Sequence, residues 1–205
     1  MALKKIKKGA KKKFFEVAVP LASLKTYLYA YSQEELVGKV VKIDMTKNLR
    51  GKNMELRARI KQTGEKLEAD LISLQLLQSY IKKSVYRGTD YVEDSFESNC
   101  KDAKLRIKPF LIARNRISRA IQRTIRNAAK KHIEGKIKIK TSDEILSDIM
   151  ANKMQKELSL KIKKIYPLAL CEIRMIEIIN KITPDTKAKK ETKPEEQVQE
   201  HQVAQ

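Results

Sequence analysis

Hydrophobic and polar residues alternate along several short stretches of the chain. The clearest stretch is NMELRARIK, in which Met54, Leu56, Ala58 and Ile60 would share one face and charged side chains the other. Such alternation is typical of a strand with one buried and one solvent-exposed side. Further stretches with strand character are GKVVKIDM, KLEADL, LRIKPFLI, GKIKIK and CEIRMIEII, and Gly64 is expected in a turn. Short strands separated by turns predict an antiparallel sheet or barrel.

A period of 3.6 residues predicts helices in three regions. SLQLLQSYIKKSV is expected to form the first helix, beginning at Ser73. RNRISRAIQRTIRNAAKK, residues 114 to 131, is the second. The third region runs from residue 141 to 165, as one or two helices, and Thr141 and Glu144 have the spacing of a capping box at its start. The predicted fold class is α+β, with an antiparallel β-barrel-like core and flanking helices.

The two ends of the chain differ in composition from the middle. Residues 1–13 contain seven lysines and are expected to form a flexible basic arm. Residues 184–205 are rich in Lys, Glu, Gln, Thr and Pro, and they bury too little apolar surface to offset the entropy of ordering. We expect a disordered polar tail there. Residues 14–183 remain as a single α+β body.

Cysteine and histidine are scarce. Cys100 and Cys171 are too few for a disulfide framework, and with His132 and His201 they lack the spacing of a zinc site. No apolar segment of a secretory signal follows the N-terminal lysines, and the longest apolar stretch, residues 165–179, is interrupted by charges. We therefore expect a soluble intracellular protein without a metal or other cofactor.

No catalytic constellation stands out in the sequence. His132 falls on the apolar side of the basic helix, where packing is the commoner role. The chain has neither a P-loop nor a dinucleotide-binding glycine motif, so we expect that it is not an enzyme. RNP aromatic motifs, GXXG loops, zippers and zinc-finger spacings are also missing. Any binding to nucleic acid should therefore depend on backbone and shape.

Positive charge is concentrated in one part of the chain. The net charge is +20, from 45 basic and 25 acidic residues. Residues 101–140 hold 14 basic and two acidic side chains, and no acidic residue lies between Asp102 and Glu134. Charge of this density repels itself, so a polyanion outside the chain is expected to neutralise it.

The predicted basic helix has two faces. At 100° per residue, Arg116, Arg119, Arg123, Arg126 and Lys130 fall within about one quadrant. The apolar side chains expected opposite them are Ile117, Ala120, Ile121, Ile125 and Ala128. Arginine can hold a phosphate with two hydrogen bonds, which favours nucleic acid over the alternative, a solvated face of mixed charge.

The candidate RNA-binding residues are lysines of the arm and cations of residues 114–138, with Lys136 and Lys138 placed on the predicted GKIKIK strand. They are Lys4, Lys5, Lys7, Lys8, Lys11, Lys12, Lys13, Arg114, Arg116, Arg119, Arg123, Arg126, Lys130, Lys131, Lys136 and Lys138. Tyr27, Tyr29 and Tyr31 alternate, which fits either a half-buried strand or a surface on which bases stack.

Several segments resemble one known family in their order along the chain. KKIYPLALCEIRMIEI, residues 163–178, is similar to the Ile-Tyr-Pro-Leu and following strand that close the body of the small-subunit ribosomal protein S-three-A family of archaea and eukaryotes (S-one-e type). FFEVAVP, LVGKVVKIDM, LLQSYIKKSVYRGTDYVED and LRIKPF also resemble segments of that family. The resemblance spans residues 14–182.

The resemblance implies a structural constituent of the small ribosomal subunit, on the platform near the messenger-RNA exit. Its expected partners are small-subunit rRNA and neighbouring ribosomal proteins, with initiation factor three and mRNA nearby and no membrane. The expected location is the cytoplasmic ribosome, and the nucleolus during assembly if the source is eukaryotic. Composition leaves open a free RNA- or DNA-binding accessory protein, such as a ribosome assembly factor. A peripheral membrane protein is less favoured, because the basic helix lacks a face of Trp, Phe or Leu.

Overall fold

The computed structural model describes residues 11–47, 49, 52–64 and 66–181. These residues form nine strands and four α-helices in a mixed α+β fold. The elements are β1 (Lys13–Val19), β2 (Leu24–Ala30), β3 (Val40–Asp44), β4 (Met54–Thr63), β5 (Lys66–Leu76), α1 (Gln78–Ser84), β6 (Tyr91–Glu93), β7 (Phe96–Asn99), β8 (Ala103–Ala113), α2 (Arg119–Ile137), α3 (Ser142–Met150), α4 (Lys153–Lys163) and β9 (Leu168–Lys181).

All nine strands belong to one sheet, and β5 is its branching point. One edge of β5 pairs with β4 along its whole length, and β4 pairs in turn with β3. The other edge is shared between β1 at Leu67 and Glu68 and β9 at Ser73–Gln75. β2 extends the sheet beyond β1, while β8, with β6 and β7, extends it beyond β9.

This topology corrects the predicted antiparallel barrel in two respects. The sheet is not closed on itself, since its main path runs from β2 to β6 without a pairing that joins the two among the described residues. The pairing of β1 with β5 is parallel, whereas the other pairs are antiparallel. Three strands, β2, β3 and β4, lie between β1 and β5 in the chain, and they return it to the end of the sheet from which β1 starts.

The alternating pattern of β4 predicted its two faces correctly. Met54, Leu56, Ala58 and Ile60 are buried, and the charged side chains between them lie on the outer side. Gly64 occupies the turn into β5 with φ of +63°, a conformation that costs other residues more than glycine. The strands expected from GKVVKIDM, KLEADL, LRIKPFLI and CEIRMIEII are all present.

Two predicted elements are wrong in type or extent. The helix expected from Ser73 begins at Gln78, because Ser73–Leu76 continue β5 and pair with both β4 and β9. The strand expected from GKIKIK does not form: Gly135–Ile137 belong to the last turn of α2. Ile133 and Ile137 are buried one helical turn apart, so their packing extends the helix through Gly135.

The three later helices, α2, α3 and α4, pack together next to the long last strand. α4 contacts β9, and α2 and α3 each contact α4. α2 also contacts β6 and β7. The predicted capping box is confirmed at the start of α3, where Thr141 Oγ1 accepts from the Glu144 N–H at 3.4 Å and Glu144 accepts from the Thr141 N–H at 3.1 Å.

The predicted ends of the chain fall largely outside the described residues. Of the arm, residues 11–13 are described, and Lys13 is already the first residue of β1. Residues 1–10 and the tail, 184–205, lie outside. No helix within the described ranges is both long and apolar enough to cross a membrane.

Candidate nucleic-acid interface

The cationic segment enters α2 through a short non-helical approach. Arg114 and Arg116 precede the helix rather than lie on it, which corrects their predicted place. The Ile117 N–H donates to a carboxylate oxygen of Asp90 at 2.8 Å, and Ser118 caps the helix by accepting from the Ile121 N–H at 3.5 Å. These contacts fix the path of a segment whose side chains face solvent.

Sequence reasoning did not identify Asp90 as the anchor of this approach. The residue stands in the turn GTDY before β6, about 27 positions earlier in the chain. The Asp90 carbonyl oxygen also accepts from the Ala113 N–H at 2.9 Å, and among the described residues its carboxylate forms no ion pair with an arginine. A turn-rich GTD sequence signals a loop but not the distant segment that the loop holds.

The first half of α2 is packed less deeply against the body than the second half. No side chain from residue 114 to 124 is buried. The buried positions of α2 are Ile125, Ala129, Ile133 and Ile137, each one turn from the next. Ala120, expected to be buried, is exposed because it precedes this stripe. Ile117 and Ile121 pack against the core, as the sequence predicted, and the opposite face of these N-terminal turns is exposed to solvent.

Five exposed arginines lie in the approach to α2 and along its first turns, and we name them the basic ridge. They are Arg114, Arg116, Arg119, Arg123 and Arg126, all exposed. Within the described part of the chain, no ion pair or side-chain hydrogen bond joins any of them to an acidic group. Their charge is thus left uncompensated by the described fold.

The position of the basic ridge at the start of a helix increases its positive electrostatic potential. A helix N-terminus carries partial positive charge from its unpaired N–H groups, and acidic side chains usually occupy the first turn. The first turn of α2 holds no acidic residue and begins with Arg119. Arginines and helix dipole therefore reinforce each other, in an arrangement suited to phosphate groups.

The later cations of α2 differ from the basic ridge. Lys130 lies 3.9 Å from Glu134 and over the ring of Phe96, with 5.8 Å from its nitrogen to the centroid. Lys136 pairs with Glu157 of α4 at 2.8 Å. Lys131 and Lys138 are exposed, Lys138 directly after the helix. Of the predicted site, the structure thus groups the arginines and sets two lysines against carboxylates.

The lysines of the predicted arm lie elsewhere on the sheet. Lys11 and Lys12 are exposed before β1, and the Lys12 ammonium lies over the rings of Tyr29 and Tyr31, 5.6 and 5.2 Å from their centroids. Lys4, Lys5, Lys7 and Lys8 are outside the described residues.

His132 and the cysteines have the environments of structural groups. Burial, with Lys161 and Lys136 nearby, lowers the pKa of His132 below its usual value, so the ring is neutral at neutral pH. Burial raises the pKa of Cys171 to about 12, which leaves an inert thiol. Across the described ranges, no three His, Cys, Asp or Glu side chains are placed to share a metal ion.

Comparison with known proteins decides the family. The model of the Ribosomal S3Ae family matches residues 2–182. The chain belongs to the Ribosomal S3Ae family. This confirms the resemblance found in the sequence, and since this is a family of ribosomal structural proteins, it also confirms that the chain is not an enzyme.

Three relatives are each named small ribosomal subunit protein eS1. The chain is 31% identical to that of Nanoarchaeum equitans over 150 residues, which are 71% of this chain and 76% of the relative. It is 29% identical to that of Methanothermobacter thermautotrophicus over 111 residues, 54% of this chain and 57% of the relative. With that of Desulfurococcus amylolyticus, identity is 26% over 170 residues, 79% of this chain and 80% of the relative.

Proposed function

We propose that this protein is a structural constituent of the small ribosomal subunit and that its basic ridge binds rRNA phosphates. The observation that carries the proposal is five exposed arginines without acidic partners, placed at a helix N-terminus that also lacks acidic residues. Membership of the Ribosomal S3Ae family supports rRNA as the polyanion.

The finer placement follows from the family resemblance. The protein lies on the platform near the messenger-RNA exit and the 3′ end of the small-subunit rRNA, and supports translation there. Its partners are rRNA, neighbouring ribosomal proteins, and initiation factor three and mRNA close to the exit. It works in the cytoplasmic ribosome, after nucleolar assembly if the source is eukaryotic.

The division of the chain follows the same logic. Residues 14–183 form the single rRNA-binding body, whose sheet is barrel-like but not closed and is flanked by helices. Of the arm, residues 1–13, the part that precedes β1 threads between RNA segments, where phosphates offset the repulsion among its lysines.

Charge reversal in the basic ridge tests the proposal. Arg119→Glu with Arg123→Glu should abolish incorporation into small subunits, since two phosphate contacts become repulsive. Incorporation is measured by sedimentation of small subunits at moderately high salt, followed by detection of the protein. A free accessory factor would be washed off the subunit at this salt even in its unaltered form.

The matched control carries the same change in net charge elsewhere. Lys42→Glu with Lys66→Glu alters two exposed lysines of the sheet and should leave incorporation intact. Circular dichroism establishes that both double variants are folded. Normal incorporation of the folded Arg119→Glu, Arg123→Glu protein would refute the role of the basic ridge.

A further inference from the structure

The outer face of the β1–β2 hairpin carries a cluster of exposed aromatic rings. We call this cluster the aromatic face. It consists of Phe14, Tyr27, Tyr29 and Tyr31, whose side chains are 72%, 65%, 57% and 36% exposed. Phe14 lies opposite Tyr29 across the hairpin, and their ring centroids are 4.9 Å apart. Apolar surface of this kind costs free energy in water, so its exposure calls for a partner.

The hairpin does not need this face for its own core. The inward residues of β1 and β2 are Phe15, Val17, Val19, Leu24 and Leu28, all at least partly buried. The Phe14–Tyr29 contact is the kind of cross-strand pair that stabilises a hairpin. Tyr27 has no such role, because it lies opposite Glu16, which pairs with Lys25 at 2.7 Å.

The charge around the aromatic face is complementary to nucleic acid. Residues 11–31 contain four lysines and one acidic residue, Glu16. The Lys12 ammonium lies over two of the rings and interacts electrostatically with the Glu35 carboxylate. It is the cation that the phosphate beside a base stacked on these rings would meet. In sequence, four more lysines lie within residues 1–10, which join the chain at this end of β1. An apolar protein partner would not require this excess of cations.

The spacing of the rings also fits unpaired bases. Same-face residues of a strand are about 7 Å apart. Successive stacked bases in one strand rise by about 3.4 Å. Same-strand neighbours on the aromatic face are thus far enough apart for each ring to take a separate base, and aromatic rings on strands bind single-stranded nucleic acid by such stacking.

We propose that the aromatic face stacks unpaired nucleotides of small-subunit rRNA, with Phe14, Tyr27 and Tyr29 as base platforms and Lys12 as a phosphate contact. The proposal rests on the proposed function for the identity of the RNA. It assigns a second contact of a different chemistry, since the basic ridge holds phosphates and the aromatic face holds bases.

The test compares the full-length protein with a Tyr27→Ala, Tyr29→Ala variant in binding a short unstructured RNA oligonucleotide. Fluorescence anisotropy should give an affinity lower by about tenfold or more for each ring removed. An abasic oligonucleotide of the same length, which keeps the phosphates, should bind both proteins equally. Tyr27→Phe with Tyr29→Phe, which keeps the rings, should retain the unaltered affinity.

Controls separate this proposal from the proposed function. Tyr86→Ala removes a tyrosine of similar exposure outside the hairpin and should change nothing. Arg119→Gln with Arg123→Gln should weaken base-bearing and abasic RNA alike. If that ridge variant loses affinity while Tyr27→Ala, Tyr29→Ala binds base-bearing RNA normally, the aromatic-face proposal is overturned and the proposed function stands.

Base reactivity in assembled small subunits identifies the source of the RNA. Subunits containing the Tyr27→Ala, Tyr29→Ala protein should show unpaired rRNA nucleotides that become more reactive to base-specific reagents. Unchanged rRNA reactivity would overturn the assignment to rRNA. Loss of incorporation without loss of oligonucleotide affinity would also overturn it, because the face would then dock against protein.

Discussion

Cations on the sheet and cations of the basic ridge differ in what neutralises them. On the sheet, Arg106 lies 2.9 Å from Glu97 and 3.4 Å from Glu177, and Arg174 lies 2.7 Å from Glu93. The basic ridge has no comparable contact among the described residues. The first group is neutralised by the chain's own carboxylates, and the second is left for another molecule.

The difference teaches that net charge alone does not locate a binding surface. Paired cations help to hold neighbouring strands, because each contact joins two elements. Unpaired cations raise the self-repulsion of the folded state and contribute nothing to its stability. A fold that places five exposed arginines in one short segment, none of them paired with an acidic group of the described residues, is therefore arranged for a polyanion.

The largest expected effect is a loss of stability, without a change in RNA binding, when the buried ion pair between Lys52 and Glu172 is broken. Lys52 and Glu172, with side chains 8% and 12% exposed, form an ion pair, and Lys52 also donates to Asn152 at 2.9 Å. Glu172→Ala leaves a buried ammonium without its counter-charge, so the free energy of unfolding should fall by about 3–5 kcal/mol. Urea denaturation measures this.

The matched control for Glu172→Ala removes both charges. Lys52→Met with Glu172→Leu should recover most of the lost stability, because no charge is left unpaired. An unchanged urea midpoint in Glu172→Ala would contradict the buried pairing. RNA affinity of the folded variants should equal that of the unaltered protein.

Removing charges from the basic ridge should weaken RNA binding strongly and leave the stability of the fold almost unchanged. Arg119→Gln with Arg123→Gln should weaken rRNA binding about tenfold or more, and lower the slope of log affinity against log salt by about 1.5. The free energy of unfolding should change by less than about 0.5 kcal/mol. Filter binding over a salt series and urea denaturation provide the two measurements.

The control for the ridge variant removes two charges from the sheet. Arg57→Gln with Arg106→Gln makes the same change in net charge, at residues paired with Glu55 and Glu97. Its salt slope should match that of the unaltered protein. Equal losses of slope in both double variants would show that diffuse charge, not the basic ridge, determines binding.

A single sheet pair should have a smaller effect on stability. Arg106→Gln removes contacts to Glu97 and Glu177 that are partly exposed, with the arginine side chain 41% accessible. Partly exposed pairs contribute about 0.2–1 kcal/mol, so the urea midpoint should fall slightly. A loss as large as that of Glu172→Ala would mean that burial does not determine the strength of these pairs.

The smallest effect concerns the pH dependence of stability. The folded pKa of His132 lies below its unfolded value of about 6.5, chiefly through burial. The unfolded chain therefore binds more protons, and the contribution of His132 to stability is lost as pH falls from about 6.5 toward the folded pKa. Urea midpoints at pH 7.5 and 5.5 should differ less in His132→Asn than in the unaltered protein, and equal differences would contradict this.

The sequence correctly predicted those features of the fold that depend on residues close together in the chain. The alternation in β4 and the capping box of α3 each depend on neighbours in sequence, and both are confirmed. The sequence predicted a helix at Ser73, but in the structure this residue pairs with Glu177 of β9, about a hundred positions later in the chain. A local period cannot report such a contact, which here overrides helix propensity.

The sequence predicted which cations belong to the candidate site, but not which of them are paired with carboxylates and which are unpaired. The sequence located the charge at residues 114–138, yet it treated all of its cations alike. The structure separates the basic ridge from Lys130 and Lys136, which lie near Glu134 and Glu157. GKIKIK was interpreted as a strand from its alternation alone, which is too short to distinguish a strand from the end of a helix. The signal for the helix is the four-residue spacing between Ile137 and Ile133, which precedes the stretch.

Photo-crosslinking tests the central claim most directly. A crosslinking side chain at exposed Asn127, beside Arg126, should form adducts with small-subunit rRNA when the protein is in the subunit. The same group at exposed Gln62, in the sheet hairpin, serves for comparison. The account predicts rRNA adducts from position 127 in clear excess over position 62. Absence of rRNA adducts at position 127 in intact subunits would contradict it.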